Sequence, residues 1–204
     1  MLPVRHFLTI AVFLLWAALL PAQVIEYENN GIRYQTATRA GLTVILSQLQ
    51  GNVAGFAMVQ VSISNGSQAA RIIRPEDFAF VRSADSATAA LAAGQVVDML
   101  LGKASHNDVV KLVASYESAL YGIPNMRSTN GYEQRRQSMM SYGMGSRFKA
   151  AATASAIALS NTRLMPGQST DGAVFIPLAR DAKVLMGGRI VFRCGGETFS
   201  FNPS

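Results

Sequence analysis

The chain has 204 residues, half of them hydrophobic, and a formal net charge of +6. That length can bury a sizeable core, so no disulfide framework is required, and the single cysteine excludes one within the chain. With one cysteine and two histidines, the usual Cys/His zinc clusters are excluded as well.

Met1–His6 is short and basic, Phe7–Leu20 carries no charge, and Pro21–Ala22 supplies a small residue for cleavage. That order predicts a secretory signal peptide over residues 1–22, with Gln23 opening the mature chain. The apolar run is shorter than the ~20 residues a membrane-crossing helix needs. The mature protein is therefore expected to be periplasmic or secreted and to have no transmembrane span. An uncleaved N-terminal membrane anchor is the alternative. Without a nearby cysteine the cleavage point cannot carry a lipid. Export removes nucleic acid as a partner. Loss of Arg5 leaves a charge of about +5, which favours anionic surfaces; solubility alone also accounts for it.

The mature chain reads as β-like, helical and β-like thirds. Asn29-Asn30-Gly31 is a turn signal, and Ile32–Arg39 alternates as a strand. Phe56–Ser64 is the strongest strand: Val59, Val61 and Ile63 share one parity, with Gln60, Ser62 and Ser64 on the other. It ends at the Asn65-Gly66-Ser67 turn. Arg71–Arg74 leads into Pro75-Glu76-Asp77, and Phe78–Arg82 forms another strand. Ser83-Ala84-Asp85 offers helix caps, and an alanine-rich helix is expected from there to Leu101. A second helix is expected from Ser105–Asp108 to near Gly122, through Val109, Leu112, Val113, Tyr116 and Leu120. A third is expected from Ser146 to Ser160. The stretch 125–145 reads as a connection, Arg163–Gly172 as turn-rich, and Ala173–Pro177 as an edge strand halted by proline. Gly188–Phe201 reads as a hairpin turning at Gly195-Gly196. Ile190, Phe192 and Cys194 share a parity, so Cys194 is expected to be a small buried hydrophobe; an interchain bridge is the other option.

Neither β segment is large enough for a core of its own. One antiparallel β-sandwich built from residues 23–82 and 163–204, with residues 83–162 as a helical insertion, is the expected architecture: mainly β with an alanine-rich helical subdomain. The segments Phe56–Gly66 and Pro75–Phe80, and the run Leu164-Met-Pro-Gly-Gln-Ser-Thr-Asp-Gly-Ala-Val-Phe-Ile-Pro177, resemble the telokin-like, immunoglobulin-like domains of bacterial exported proteins. The likeness covers about half of the mature chain, and it departs from the family pattern around Phe175. It implies an extracytoplasmic immunoglobulin-like fold and transfers no catalytic residues.

His106, the one histidine after the signal, sits with Ser105 and Asp108 where a helix starts, a spacing that suits capping rather than a triad. Glu76–Asp77 is the only adjacent acidic pair and follows Pro75 in a turn. No catalytic, metal or cofactor-binding residue is expected. The remaining candidate is a partner or membrane contact over Met126–Lys149. Its basic residues are Arg127, Arg135, Arg136, Arg147 and Lys149. Met126, Met139, Met140 and Met144 are interleaved with Tyr132 and Tyr142. Methionine adapts to irregular apolar partners, and the cations attract phosphates; a solvated connection between helices is the alternative. The expected function is an exported, non-catalytic interaction module binding an envelope protein or anionic surface. Two alternatives stand beside it. One is an envelope enzyme acting on a polymer through carboxylates assembled by folding. The other is a structural subunit of an envelope complex, using edge strands such as Ala173–Ile176.

Overall fold

A computed structural model describes residues 23–124, 126–139, 145–180 and 182–203. The signal segment, Met140, Tyr142, Met144 and the Met139 side chain lie outside the described residues. The strands are β1 (Ile25–Asn29), β2 (Ile32–Arg39), β3 (Leu42–Val53), β4 (Phe56–Asn65), β5 (Arg71–Ile73), β6 (Phe78–Ser83), β7 (Ser86–Ala89), β8 (Thr162–Leu164), β9 (Ser169–Pro177), β10 (Arg189–Cys194) and β11 (Glu197–Phe201). The helices are α1 (Ala93–Lys103), α2 (His106–Tyr121), α3 (Tyr132–Met139) and α4 (Ser146–Ile157). At 42% strand against 28% helix, the fold is mainly β, and its sheets are antiparallel.

The larger sheet has the order β1-β2-β3-β4-β9, the second β11-β10-β6-β7, and β5 pairs with β8. The first four strands follow one another through two-residue turns in which both central residues have positive φ: Asn30-Gly31, Ala40-Gly41 and Ala54-Gly55. Such turns match the right-handed twist of the strands they join.

Two cores meet at β4. Ala57, Val59, Val61 and Ile63 belong to a cluster that also holds Phe78, Phe80, Ile190, Phe192, Phe199 and Phe201 from the second sheet. Phe78 stacks on Phe192 with ring centroids 4.3 Å apart. Phe56 and Met58, of the opposite parity, belong to a cluster with Val96, Leu100, Leu112, Tyr116, Leu120 and Ile157 from the helices. The helices thus cover the face of β4 that alternation alone assigns to solvent. Gln60 and Ser62 are buried there, and Ser64 alone of the three remains exposed.

Two expectations are corrected. Ser83-Ala84-Asp85 does not cap a helix: Ser83 ends β6, and Ser86–Ala89 returns beside it as β7. Ala90 N–H then bonds Phe78 O at 2.9 Å, and the helix begins only at Ala93. Alanine's helix propensity is a weak prior, overridden here by ladder pairing. The 125–145 stretch is not merely a connection, since α3 lies within it.

Two of the segments quoted for the resemblance, Phe56–Gly66 and Leu164–Pro177, meet at Asn65. The Asn65 side chain is buried and donates to Ala69 O at 2.9 Å and Leu164 O at 3.0 Å. It accepts from Ser67 N–H and Ser67 Oγ–H at 3.1 and 2.6 Å. Gly167 N–H reaches Asn65 O at 2.6 Å, so the Pro166-Gly167 turn closes on the same residue.

The outer edge of β9 is occupied. Leu159 N–H donates to Ala173 O at 2.9 Å and Leu91 N–H to Phe175 O at 3.0 Å. Ala173–Ile176 is therefore an edge strand in order but not in availability, which removes it as a site for strand addition.

Candidate functional site

The segment from Met126 to α3 is fastened to the sheet by one carboxylate. Asp171, Ala173 and Phe175 share a parity on β9, which puts Asp171 on the helix-facing side, 1% exposed. Tyr116 Oη–H donates to Asp171 Oδ2 at 2.8 Å. Thr129 donates to Oδ1 twice, from N–H at 2.5 Å and from Oγ1–H at 2.6 Å. The single Ser128 hydroxyl proton divides between Asp171 Oδ2 at 3.1 Å and Asn130 Oδ1 at 2.7 Å. Asn130 Nδ2–H bonds the Asp171 carbonyl at 3.2 Å. A carboxylate has about four acceptor sites, and these donors occupy three or four of them. Asp171 is therefore a structural clamp.

α3 is polar on most of its surface and docks through a few contacts. Tyr132 is fully buried, packs edge-on against Tyr116 at 5.0 Å, and donates to Glu117 Oε1 at 2.6 Å. Arg136 Nε donates to the same oxygen at 2.5 Å. Arg135 Nη2 donates to Asn130 O at 2.6 Å and to Ala156 O at 2.9 Å, near the C-terminal end of α4 where a cation is favoured. Burial raises the Glu117 carboxyl, but the hydrogen bonds from Arg136 and Tyr132 and the Arg136 charge outweigh it and hold Glu117 below its ordinary value. Arg136 is half exposed, so its ion pair adds little stability.

The expected contact residues therefore divide. Tyr132 is core and offers no surface to a partner. Arg135 and Arg136 are committed to internal acceptors, and Met126 packs partly buried against the helical core. Arg127 and Arg147 are exposed, and Lys149 is half-buried. Phe148, which the sequence pattern assigns to a helix and not to a contact, is 64% exposed between Arg147 and Lys149.

Asp171 is the residue that sequence reasoning misses. It stands in Pro166-Gly167-Gln-Ser-Thr-Asp171-Gly172, a run that reads as a turn. The usable signal is its shared parity with Ala173 and Phe175, an acid in register with apolar residues.

Ser105 and Asp108 form a reciprocal cap and no triad. Ser105 N–H and Oγ–H donate to Asp108 Oδ2 at 2.8 and 2.7 Å, and Asp108 N–H donates back to Ser105 Oγ at 3.3 Å. Burial raises the Asp108 carboxyl, but those bonds, one from the Ala54 backbone and the Lys111 charge together hold it low. His106 is exposed. Cys194 is a buried free thiol, with Sγ 3.6 Å from Ile72 O, and burial pushes its pKa up. Among the described residues no cluster of three or more His, Cys, Asp or Glu side chains is placed to hold a metal ion. No helix among them is long and apolar enough to cross a membrane.

Burial pushes the phenol of Tyr34 up to about 12, with Tyr27 adding to the effect. Burial likewise raises Tyr116, helped by the charge of Asp171, and Tyr132, helped by its bond to Glu117. An unfolded chain releases phenolic protons near pH 10, whereas the native chain keeps them. The stabilisation is complete below about pH 10 and is lost as the pH rises toward the native values. In an alkaline titration, phenolate absorbance from these side chains is expected to appear together with loss of the far-ultraviolet dichroism. Their ionisation near pH 10 with the dichroism intact would contradict their burial.

Comparisons with protein-family models, with curated proteins and with solved structures return no significant match.

Proposed function

We propose that this chain is an exported, non-catalytic interaction module. Its two larger sheets are read as an immunoglobulin-like sandwich, with the helices carried on the outer face of the five-stranded sheet. The shared phenylalanine-rich core between these sheets supports that architecture. The observation that carries the function is the exposed Phe148, flanked by Arg147 and Lys149, at the start of α4. A soluble helix gains nothing from displaying an aromatic ring to water, whereas an apolar anchor among cations suits an anionic envelope surface. The saturation of Asp171 supports a structural rather than chemical use of this acid, the one buried among the described residues.

The test is co-sedimentation with vesicles containing phosphatidylglycerol, compared with neutral vesicles. The double variant Arg147→Glu, Phe148→Ser is expected to lose at least fivefold in binding to anionic vesicles without change in melting temperature. A juxtamembrane cation contributes about 1 kcal/mol, so charge reversal alone accounts for that factor. Equal binding by the variant and the parent, or no preference for anionic vesicles, would contradict the reading.

A further inference from the structure

The larger sheet forks between β2 and β3. The ladder between β2 and β3 runs from Arg39–Leu42 only as far as Gln35–Leu46, although both strands continue beyond it. Past that point β2 stays with β1, through Glu28–Arg33 and Asn29–Ile32. β3 stays with β4, through Ser47–Gln60 and Gln48–Val59, and then bulges before Asn52. A cleft of about 750 Å³ fills the divergence. It is lined by Ile32 and Arg33 on one arm, Leu49 and Gly51 on the other, and Ala114 and Ser118 of α2 at the back.

Identifiable contacts hold the fork open. Tyr34 Oη–H donates to Ala119 O at 2.9 Å, and Asn29 Nδ2–H to Gly122 O at 2.6 Å, so the β1–β2 hairpin is tied to the end of α2. The bulge in β3 turns the other arm aside, as bulges do next to binding sites. Small residues on α2 leave room between the arms.

The main chain of Arg33 faces this space. In an antiparallel ladder the residues bonded to one neighbour alternate with those directed to the other side. A two-residue turn joins Asn29 and Ile32, which makes them a hydrogen-bonded pair. Tyr34 repeats that orientation, and Arg33, between them, directs its N–H and C=O toward the β3 side, where the ladder has ended. An extended segment laid along this edge would meet the Arg33 N–H and C=O as one donor–acceptor pair in the geometry of a sheet, with Ile32, Leu49 and Ala114 of the lining beside it. Glu28 and Arg33, the acid and the base of the lining, stand opposite each other at the rim, so their charges offset and the rim selects neither an acidic nor a basic chain.

We propose that the fork between β2 and β3 takes an extended segment of another polypeptide, paired along Arg33 by strand addition, with apolar side chains at alternate positions. This rests on the interaction-module reading but on a different face from Phe148, so loss of vesicle binding at Arg147 and Phe148 leaves it standing.

The test is selection of a displayed library of random heptapeptides against the whole mature protein, with counter-selection against Ser118→Trp, which fills the cleft from an exposed helix position. The expected result is enrichment of peptides with apolar residues at every second position. A synthetic copy N-methylated at the central amides should bind at least tenfold more weakly, because main-chain pairing is lost while the side chains are kept. Arg33→Pro, which removes the Arg33 N–H directed into the fork, should weaken binding similarly. No enrichment over the counter-selected protein would overturn the proposal. Equal binding by the parent and N-methylated peptides would overturn it too, as would displacement of bound peptide by chitotetraose, which would make the cleft a glycan site.

Discussion

Asp171→Ala is expected to destabilise the protein by about 3 kcal/mol, since buried donors that lose their acceptor each cost about 1–3 kcal/mol. For a domain of this size that corresponds to a fall of about 10 °C in melting temperature. Three features set the magnitude. Asp171 is 1% exposed, so water cannot readily replace it. Tyr116, whose hydroxyl points at it, is fully buried and would be left with an unpaired O–H. Thr129, by contrast, is exposed and can turn its two donors to solvent, which keeps the loss below the sum of the bonds. Asp171→Asn is expected to behave almost as badly, because its amide would present N–H groups to donors already aimed at that position. Tyr116→Phe removes one donor and keeps the ring, and should cost about 1 kcal/mol. Thermal denaturation of the three variants checks the order. Equal stability of Asp171→Ala and the parent would show that the clamp is not structural.

Gly172→Ala is expected to be as damaging for a different reason. A Cβ at Gly172 would lie 2.6 Å from the Leu159 backbone N and Cα. Main chain on both sides leaves no flexible side chain to yield. The chain at Ala158–Leu159 would have to lift from β9, breaking the Leu159 N–H to Ala173 O bond that covers the strand edge. Overpacking against backbone costs about 3 kcal/mol, and an uncovered apolar edge adds a tendency to self-associate. Chemical denaturation should show the loss of stability, and size-exclusion chromatography should show oligomers that the parent lacks. A monomeric variant of parental stability would mean that the 158–159 segment does not cap the sheet.

How much of this was legible in the sequence differs from element to element. β2 and β4 are plain because their alternation is strong, and the hairpin at Gly195-Gly196 because its turn chemistry is explicit. The α2 cap is legible because Ser105 and Asp108 stand at the capping-box spacing. β3, the longest strand, is not legible. Leu42–Val53 lies between the two cores, so apolar residues fall on both faces, and its bulge places Gln-Gly-Asn in mid-strand, where it reads as a turn. β7 is hidden because Ser-Ala-Thr-Ala has no pattern of its own and is fixed by the neighbour it pairs with. α3 is hidden because Tyr132 is the one fully buried side chain among those described in it, and a helix so polar has no apolar periodicity to detect. The basic residues of that stretch attract attention as a surface, yet Arg135 and Arg136, though exposed, are bonded to acceptors of the same chain. Sequence spacing cannot show this, because Glu117 and Ala156 approach them only through the packing of α2 and α4.

Amide hydrogen exchange at Thr129 tests most directly whether the segment before α3 is clamped to β9 rather than held out for a partner. In the parent protein the Thr129 amide should exchange slowly, at a rate set by subglobal opening. In Asp171→Ala it should exchange at least a hundredfold faster while the amides of β4 and β10 stay protected. An unprotected Thr129 amide in the parent, or one whose rate is unchanged by removal of Asp171, would contradict the account.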